Sequence, residues 1–312
     1  MNRKMLRYVI SWVLKTEGIL MAFPAITGAL YREWEALAYL LCGLFCVGAG
    51  FLLSRRKPED MELYPKDGYV AVALGWVALS VFGCLPFMVT GEIPFFVDAL
   101  FEIVSGFTTT GSSILTDVEA LSHASLFWRS FSHWIGGMGV LVFILAILPM
   151  KGGSVMNLMK AESPGPSVSK FVPRVRGTAK ILYQIYIVMT IVLILSLLLS
   201  GMTLFESLTL SFGAAGTGGF SILNSGCGTY TPVQQWILTI GMILFGVNFN
   251  FYYLILCRKF KAAALSQEVR AYFLVILAAI AAITVDIQGV YDTLGETVPH
   301  PAFPVGSTIT TT

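Results

Sequence analysis

The chain has 312 residues, of which 56% are apolar and only 12% are charged, and its mean hydropathy is +0.77. An average soluble domain carries roughly 25% charged residues, and a soluble fold could not bury this much apolar surface. The composition therefore excludes a soluble protein and indicates one that lies in a lipid bilayer. The formal net charge of only +2 gives no reason to expect nucleic-acid binding.

Several stretches of the chain are long and apolar enough to cross a hydrocarbon core of about 30 Å, which takes roughly 20 helical residues. Seven membrane spans are predicted, at 8–30, 36–53, 68–90, 130–150, 179–201, 233–256 and 271–290. The first contains Lys15 and Glu17 and the last contains Asp286, all expected at the membrane edge. A signal peptide explains the first stretch less well, because no small-residue cleavage pattern follows it.

The basic residues alternate between the connections, and 17 of the 20 Lys and Arg fall on one side if the N-terminus is cytoplasmic. Positive loops stay inside, so this orientation is predicted. The basic 151–180 segment is a candidate docking surface for a soluble partner, but a positive-inside linker is the favoured explanation. The other side is expected to present acids that concentrate cations. These acids are Glu33, Glu35, Glu92, Asp98, Glu102, Asp117, Glu119, Glu206, Asp286, Asp292 and Glu296.

About 40 residues between the third and fourth spans are too few to cross the membrane again and too apolar for an ordinary loop. The segment begins with a helix-compatible IPFFVDALFEIVSGF and turns polar at TTTGSS. Irregular backbone at membrane depth is tolerated only where it is buried in protein or lines a cavity. A re-entrant half-helix followed by a loop is therefore predicted.

The same layout recurs twice, as TLFESLTLSF followed by GAAGTGGFS and as AFPVGS followed by TITTT. Gly219 aligns with Gly111 at an offset of 108 residues, and Thr312 aligns with Thr110 at an offset of 202. The chain is thus predicted to contain an internal repeat of span, half-helix, Thr/Gly loop and span. The third copy stops inside its loop, so the chain is expected to be part of a longer protein.

The recurring loops are candidates for a potassium selectivity filter, because backbone carbonyl rings can replace the hydration shell of the ion. Threonine hydroxyls can brace such a loop, and glycine permits the backbone angles that aim carbonyls inward. A polar turn would explain one TTTG segment, but not its recurrence. A phosphate-binding glycine loop at 213–219 is disfavoured, because no strand precedes it and no lysine follows. The candidate residues are Thr108, Thr109, Thr110, Gly111, Gly216, Thr217, Gly218, Gly219, Thr310, Thr311 and Thr312.

No arrangement of residues typical of an enzyme or a metal centre is present in the sequence. The cysteines, at 42, 46, 84, 227 and 257, lack a paired spacing and are expected to be small buried hydrophobes. His123, His133 and His300 form no ligand motif and are expected to be satisfied or solvated. The glycines of WIGGMG at 134–139 are expected to permit close helix packing. We expect no cofactor, and potassium as the transported ligand.

Six motifs together resemble the Trk/Ktr/HKT superfamily of potassium transporters, and within it the TrkH type. They are SGFTTTGSS (105–113), FSHWIGGMGVLVFILAILP (131–149), AESPGP (161–166), PRVRGTAK (173–180), GTGGFS (216–221) and GVNFNFYY (246–253). The resemblance implies an all-α polytopic membrane protein with span, re-entrant loop and span units, preceded by two extra helices. It divides the chain into extra helices at 1–60, pore repeats at 61–155 and 156–262, and a partial repeat at 263–312.

The resemblance also implies a function and partners. It implies potassium uptake across the cytoplasmic membrane, a homodimer and a cytosolic nucleotide-binding regulatory subunit like TrkA. Relatives with serine at the first filter position prefer sodium, so Gly111 favours potassium. Glycines at 216 and 218 depart from the threonine pattern, which leaves the ligands of the second loop open. The alternatives are a sodium-coupled or sodium-permeable relative and a non-conducting truncated remnant.

Overall fold

The computed structural model describes residues 2–55, 58, 65–139, 175–286 and 299–312, and within them the fold is entirely helical. The helices are α1 Arg3–Leu20, α2 Ala22–Leu30, α3 Glu35–Ser54, α4 Pro65–Gly83, α5 Leu85–Thr90, α6 Phe96–Phe107, α7 His123–Gly137, α8 Val175–Leu199, α9 Leu204–Ala215, α10 Pro232–Phe245, α11 Phe249–Leu256, α12 Phe260–Ala264, α13 Gln267–Asp286 and α14 Pro299–Thr310. The predicted all-α membrane fold is confirmed.

Five helical stretches are long and apolar enough to cross a membrane, and each matches one of the predicted spans. They are Arg3–Leu30, Glu35–Ser54, Lys66–Thr90, Lys180–Leu199 and Gln267–Asp286. The span predicted at 130–150 begins within α7 and continues outside the described residues, as do the motif at 161–166 and most of the basic 151–180 segment.

The stretch predicted as a span at 233–256 is broken in the middle, because α10 and α11 meet at an angle of 84°. Helix α10 ends at Phe245, and the Asn248 side chain caps the start of α11 by accepting a hydrogen bond from an amide. The bend exposes carbonyls of the last turn of α10, which need new donors. Tyr272 and Tyr252 supply them, with hydroxyls 2.9 Å from the Ile243 carbonyl and 2.6 Å from the Leu244 carbonyl.

Helices α1 and α3 pack closely because small residues face each other across their contact. A Cβ atom on Gly43 would lie 2.8 Å from the Gly18 carbonyl oxygen, and one on Gly18 would overlap the Gly43 carbonyl. Small residues at such crossings let helix backbones approach within a membrane. The pair α1 and α3 therefore forms a tight unit that supports the helices following it in the chain.

The edge position predicted for Glu17 is wrong, whereas Asp286 lies at the end of α13. The Glu17 side chain is 1% exposed, and neither carboxyl oxygen has a hydrogen-bond partner among the described residues. It faces Gly83 of α4, where an added Cβ would lie 2.8 Å from a Glu17 oxygen. Lys15 instead reaches the end of α3, 2.7 Å from the Ser54 hydroxyl, and Asp286 is exposed at the end of α13.

The short helices α6, α9 and α14 each follow a long apolar helix and pack against the interior. The buried core around α6 and α7 includes Phe107, Trp128 and Phe131, and the Trp128 indole donates to the Gly83 carbonyl at 3.0 Å. Helix α9 packs on α7 and α8, while α14 packs on α10 and α13. This packing brings the C-terminal ends of the three short helices into one region.

Candidate functional site

Each of the three short helices ends in a loop with the same backbone conformation. Loop 1 is 108–111 after α6, loop 2 is 216–219 after α9, and loop 3 is 310–312 at the end of α14. Thr109, Thr217 and Thr311 have φ of 54°, 55° and 59°, and Gly111 and Gly219 both have φ of 75°. A β-branched residue in the left-handed region is a genuine outlier. Three of them occur here at the offsets of 108 and 202 that the sequence alignment uses.

The three helix ends also share a hydrogen-bond pattern. The Thr110 amide donates to the Ser105 carbonyl at 2.9 Å, and the Thr109 amide donates to the Gly106 carbonyl at 3.1 Å. The amides of 218 and 217 repeat both bonds with the carbonyls of 213 and 214, and those of 312 and 311 repeat them with 307 and 308. This is a Schellman motif, which normally places glycine where these loops have threonine. The loop amides are therefore used within the helix ends.

The carbonyl oxygens of loop 1 accept no hydrogen bond from any residue that the structure describes, and the same holds for Gly216, Gly218 and Gly219 of loop 2. The Thr217 carbonyl has only a long contact, 3.5 Å from the Thr311 hydroxyl of loop 3. Carbonyls without a protein donor, beside amides of which Thr109, Thr110, Thr217 and Gly218 are bonded to helix carbonyls, form an acceptor surface. Such a surface suits a cation and not an anion.

Loops 1 and 3 each contain a pair of threonines whose hydroxyls lie within hydrogen-bond distance of each other. The hydroxyls of Thr108 and Thr110 lie 2.8 Å apart, and Thr108 also donates to the Val104 carbonyl at 2.7 Å. In loop 3 the hydroxyls of Thr310 and Thr312 lie 2.7 Å apart, and Thr310 donates to a helix carbonyl at 2.7 Å. These threonines hydrogen-bond to their own loop and helix, so they brace the backbone.

Loop 2 lacks these threonines because His133 of α7 occupies the space beside it. A Cβ atom on Gly218 would lie 2.5 Å from the imidazole ring, and one on Gly216 would overlap the His133 carbonyl oxygen. The ring stacks on Phe220 with a centroid distance of 4.2 Å, and its Nδ1 lies 3.4 Å from the Phe220 amide. The sequence predicts that His133 is satisfied or solvated; it is fully buried, and its Nδ1 accepts from the Phe220 amide. The Nε2 atom has no partner among the described residues, so the prediction fails for that atom.

Neighbouring loops touch through one repeated contact. A Cβ atom on Gly111 would overlap the Gly218 carbonyl oxygen of loop 2, and one on Gly219 would overlap the Thr312 carbonyl carbon of loop 3. Gly218 and Thr312 occupy equivalent positions, so the same step relates loop 1 to loop 2 and loop 2 to loop 3. Loops arranged around a common axis are related by one repeated rotation, and the repeated contact fits such an arrangement.

The glycines of the WIGGMG motif lie against these loops, as close packing predicts. A Cβ atom on Gly136 would overlap the Phe107 carbonyl oxygen at the end of α6, and one on Gly137 would lie 2.7 Å from the Gly216 Cα atom. Helix α7 therefore contacts the backbone beneath loop 1 on one face and loop 2 on the other.

Glu102 is not part of an open acidic surface, so that prediction is wrong for it, because it is buried in a pair with Arg129. Their side chains are 0% and 2% exposed, and Arg129 Nε lies 2.7 Å from Glu102 Oε1. Glu102 also accepts from the Ser113 hydroxyl at 3.0 Å and the Ile114 amide at 3.0 Å. Periodicity within either helix gives no sign of this pair, because its members are 27 residues apart.

Several other acids predicted on that face are also engaged within the protein. Glu33 accepts from the His123 and Ala124 amides at 2.9 Å and 3.2 Å, and Glu92 accepts from Ser122 and Ser125. Both carboxylates therefore lie at the N-terminal end of α7, where the helix dipole favours negative charge. The predicted Asp292 and Glu296 lie outside the described residues.

The described residues contain no group of histidine, cysteine, aspartate and glutamate that could hold a metal ion. The cysteines at 42, 46 and 84 are buried, as predicted for small hydrophobes, and Cys227 is half-buried. The prediction is wrong for Cys257, which is exposed just after the end of α11. The oxygen-rich positions are instead the three loops. The fold and this site define a polytopic helical membrane protein whose half-helices end in neighbouring carbonyl-lined loops.

Comparison with known proteins identifies the family. The family model for TrkH, described as a cation transport protein, matches residues 37–292. The chain therefore belongs to the TrkH family, a family of cation transporters and not a class of enzymes, and the resemblance found in the sequence is confirmed.

Relatives and a solved structure agree with this. The chain is 34% identical over 301 residues to the Trk system potassium uptake protein TrkH of Salmonella typhimurium, covering 93% of this chain and 62% of that protein. It is 32% identical to the TrkH of Halomonas elongata, covering 100% and 66%. The crystal structure of the potassium transporter TrkH from Vibrio parahaemolyticus matches with a TM-score of 0.81 and 24% identity, covering 98% of this chain and 64% of that one. The chain thus spans less than two thirds of the length of these proteins.

Proposed function

We propose that this chain forms part of the ion-conducting subunit of a potassium uptake system in the cytoplasmic membrane, with the ion bound by carbonyl oxygens of loops 1, 2 and 3. The observation that carries the proposal is the equivalence of the loops. All three place a threonine in the left-handed region one or two residues after the end of a short helix. Loop 1 touches loop 2, and loop 2 touches loop 3, through the same pair of positions.

The proposed filter residues are those of loop 1, Thr108, Thr109, Thr110 and Gly111, together with 216–219 and 310–312. The sign of φ alternates along loop 1: it is negative at Thr108 (−82°) and Thr110 and positive at Thr109 (54°) and Gly111 (75°). Such alternation turns successive peptide planes so that their carbonyls can point to one side. Because the amides of Thr109, Thr110, Thr217 and Gly218 are bonded into the helix ends, the carbonyls of loops 1 and 2 are the groups left to bind an ion. In loop 3 the carbonyls of Thr310 and Thr312 also accept from the Thr311 and Ser307 hydroxyls.

The electrostatics of the short helices support a cation as the ligand. The C-terminal end of a helix carries partial negative charge, and α6, α9 and α14 all direct this end toward the loops. The loops themselves contain no ionised side chain. Binding is then favourable enough for entry without a fixed charge that would hold the ion, as conduction requires.

The proposal extends to organisation and partners. The divisions at 61–155, 156–262 and 263–312 serve as successive pore repeats, after two extra helices within 1–60. The N-terminus lies in the cytoplasm, two copies form a homodimer, and a TrkA-like nucleotide-binding subunit regulates the pore. Support for a multi-subunit system comes from the names of the relatives, which are components of a Trk system.

The test uses the product of the complete gene in two assays. We expect it to restore growth of a potassium-uptake-deficient strain on low potassium when co-expressed with its own regulatory subunit. Purified protein in liposomes should take up radioactive rubidium faster than sodium. Failure of both assays with a correctly inserted protein would overturn the proposal, and equal rates for the two ions would favour the sodium-permeable alternative.

A further inference from the structure

A single buried arginine connects loop 1 to loop 2 just beyond their glycines. Arg129 Nη2 lies 3.3 Å from the Ser113 hydroxyl, and Nη1 lies 3.2 Å from the Ser221 carbonyl oxygen. Ser113 and Ser221 are equivalent residues at the offset of 108, and each lies two positions after the glycine of its loop. One guanidinium therefore contacts the same position of two neighbouring loops.

The guanidinium is held in one orientation from three sides. Glu102 accepts from Arg129 Nε at 2.7 Å, and the guanidinium Cζ atom lies 4.2 Å from the centroid of the Phe220 ring. Glu102 accepts further hydrogen bonds from Ser113 and Ile114, so its charge is also compensated. A buried ion pair of this kind contributes little net stability, and it is better suited to specifying one geometry.

The other repeats offer no equivalent pair in the sequence. At the offset of 108, Leu210 stands in the place of Glu102 and Ile237 in the place of Arg129, and at 202 Pro304 stands in the place of Glu102. Loops 2 and 3 are joined instead by backbone contact and by the 3.5 Å approach of Thr311 to Thr217. The connection of loop 1 to loop 2 thus depends on Arg129.

We propose that Arg129, oriented by Glu102, is a positioning residue that sets the separation of loops 1 and 2 and thereby the selectivity among cations. The inference rests on the proposed function of the loops, and it assigns Arg129 no contact with the ion. Lysine cannot replace it, because an ammonium lacks the planar fork that reaches Glu102, Ser113 and Ser221 together.

The experiment measures the ratio of rubidium to sodium uptake by the complete gene product in liposomes. Arg129→Lys should lower this ratio by about tenfold, the effect of losing roughly one charge-assisted hydrogen bond. Ser113→Ala removes the hydroxyl that contacts Arg129, Glu102 and the Leu115 amide but keeps the ion pair, and it should lower the ratio by about threefold. Arg32→Lys makes the same chemical change at an exposed position and should leave the ratio unchanged.

A merely structural role would reduce the amount of folded protein or the total flux without changing the ratio. An unchanged ratio in both Arg129→Lys and Ser113→Ala would therefore overturn the inference. If Arg129→Lys fails to fold, Ser113→Ala decides alone, because it keeps Glu102 and Arg129 paired. Absence of rubidium uptake by the unsubstituted protein would overturn the proposed function itself and this inference with it, a result distinct from an unchanged ratio.

Discussion

Loops 1 and 2 have the same backbone conformation, but different side chains pack beside them. In loop 1 the hydroxyls of Thr108 and Thr110 hydrogen-bond to each other, whereas in loop 2 the equivalent Gly216 and Gly218 make room for His133. Both loops nevertheless keep a left-handed threonine and the same two helix-end hydrogen bonds. The end of the short helix therefore sets the backbone path of each loop, while the side chains beside the loop differ with the neighbouring helix.

The left-handed threonines at the three helix ends carry backbone strain. A left-handed residue with a Cβ costs roughly 1–2 kcal/mol, and glycine would avoid that cost. Loop 2 has glycines on both sides of Thr217 and still retains the threonine. Strained residues of this kind persist where the surrounding structure over-determines them, commonly at ligand sites. The strain is thus common to the three loops, whereas the hydroxyl pair is not.

The largest effect is expected from giving loop 2 the threonine of loop 1. Gly218→Thr places a side chain against the His133 ring, which a Cβ atom alone approaches to 2.5 Å. Overpacking of this kind costs typically about 1–3 kcal/mol. We expect a lower midpoint of thermal unfolding in detergent, with partial recovery on adding His133→Ala. Gly48→Thr is the control, because nothing lies within 4 Å of a Cβ atom there. Equal unfolding midpoints for the two threonine variants would contradict our explanation of loop 2.

A second, smaller effect is expected at the contact between the loops. Gly111→Ser adds a Cβ atom that overlaps the Gly218 carbonyl oxygen, at a φ of 75° that serine adopts only with strain. The two loops must separate, so we expect the ratio of rubidium to sodium uptake to fall by about tenfold, an energy difference of about 1.4 kcal/mol. Membrane insertion should be unaffected.

The matched control for that substitution is Gly91→Ser. Gly91 has a similar φ of 78°, but nothing lies within 4 Å of a Cβ atom at this position. Backbone strain is therefore common to both variants, and only Gly111→Ser disturbs the loops. Equal uptake ratios in the two variants would show that the contact between Gly111 and Gly218 does not control selectivity.

The smallest effect is expected from removing the hydroxyl pair of loop 1. Thr110→Val keeps the shape of the side chain and removes the 2.8 Å contact with the Thr108 hydroxyl. A hydrogen bond of this type contributes about 1 kcal/mol, so a small fall in the unfolding midpoint is expected. Thr312→Val should behave alike, since loop 3 has the same pair at 2.7 Å. The control is Thr27→Val, at a half-buried residue whose hydroxyl donates only to the Phe23 carbonyl of its own helix at 3.1 Å. An equal fall in the unfolding midpoint there would show that the pair has no special role.

Much of the fold could be predicted from local properties of the chain. Hydropathy and length located the spans, because crossing the bilayer needs an uninterrupted apolar helix. The offset of 108 found in the loops also relates α6 to α9, whose ranges 96–107 and 204–215 differ by that number of residues. The same sequence signal predicted the loops, because threonine and glycine runs at membrane depth are rare and recur here.

The sequence by itself determined the membrane class, the repeated layout and the position of the loops, since all of these depend on residues adjacent in the chain. Only the tertiary structure decided the partners of buried polar groups. Glu17, His133 and the pair of Glu102 and Arg129 all face residues far away in sequence, and the bend after α10 depends on the Tyr272 hydroxyl of α13. Pairing across 27 to 92 residues is a consequence of packing, which no local pattern records.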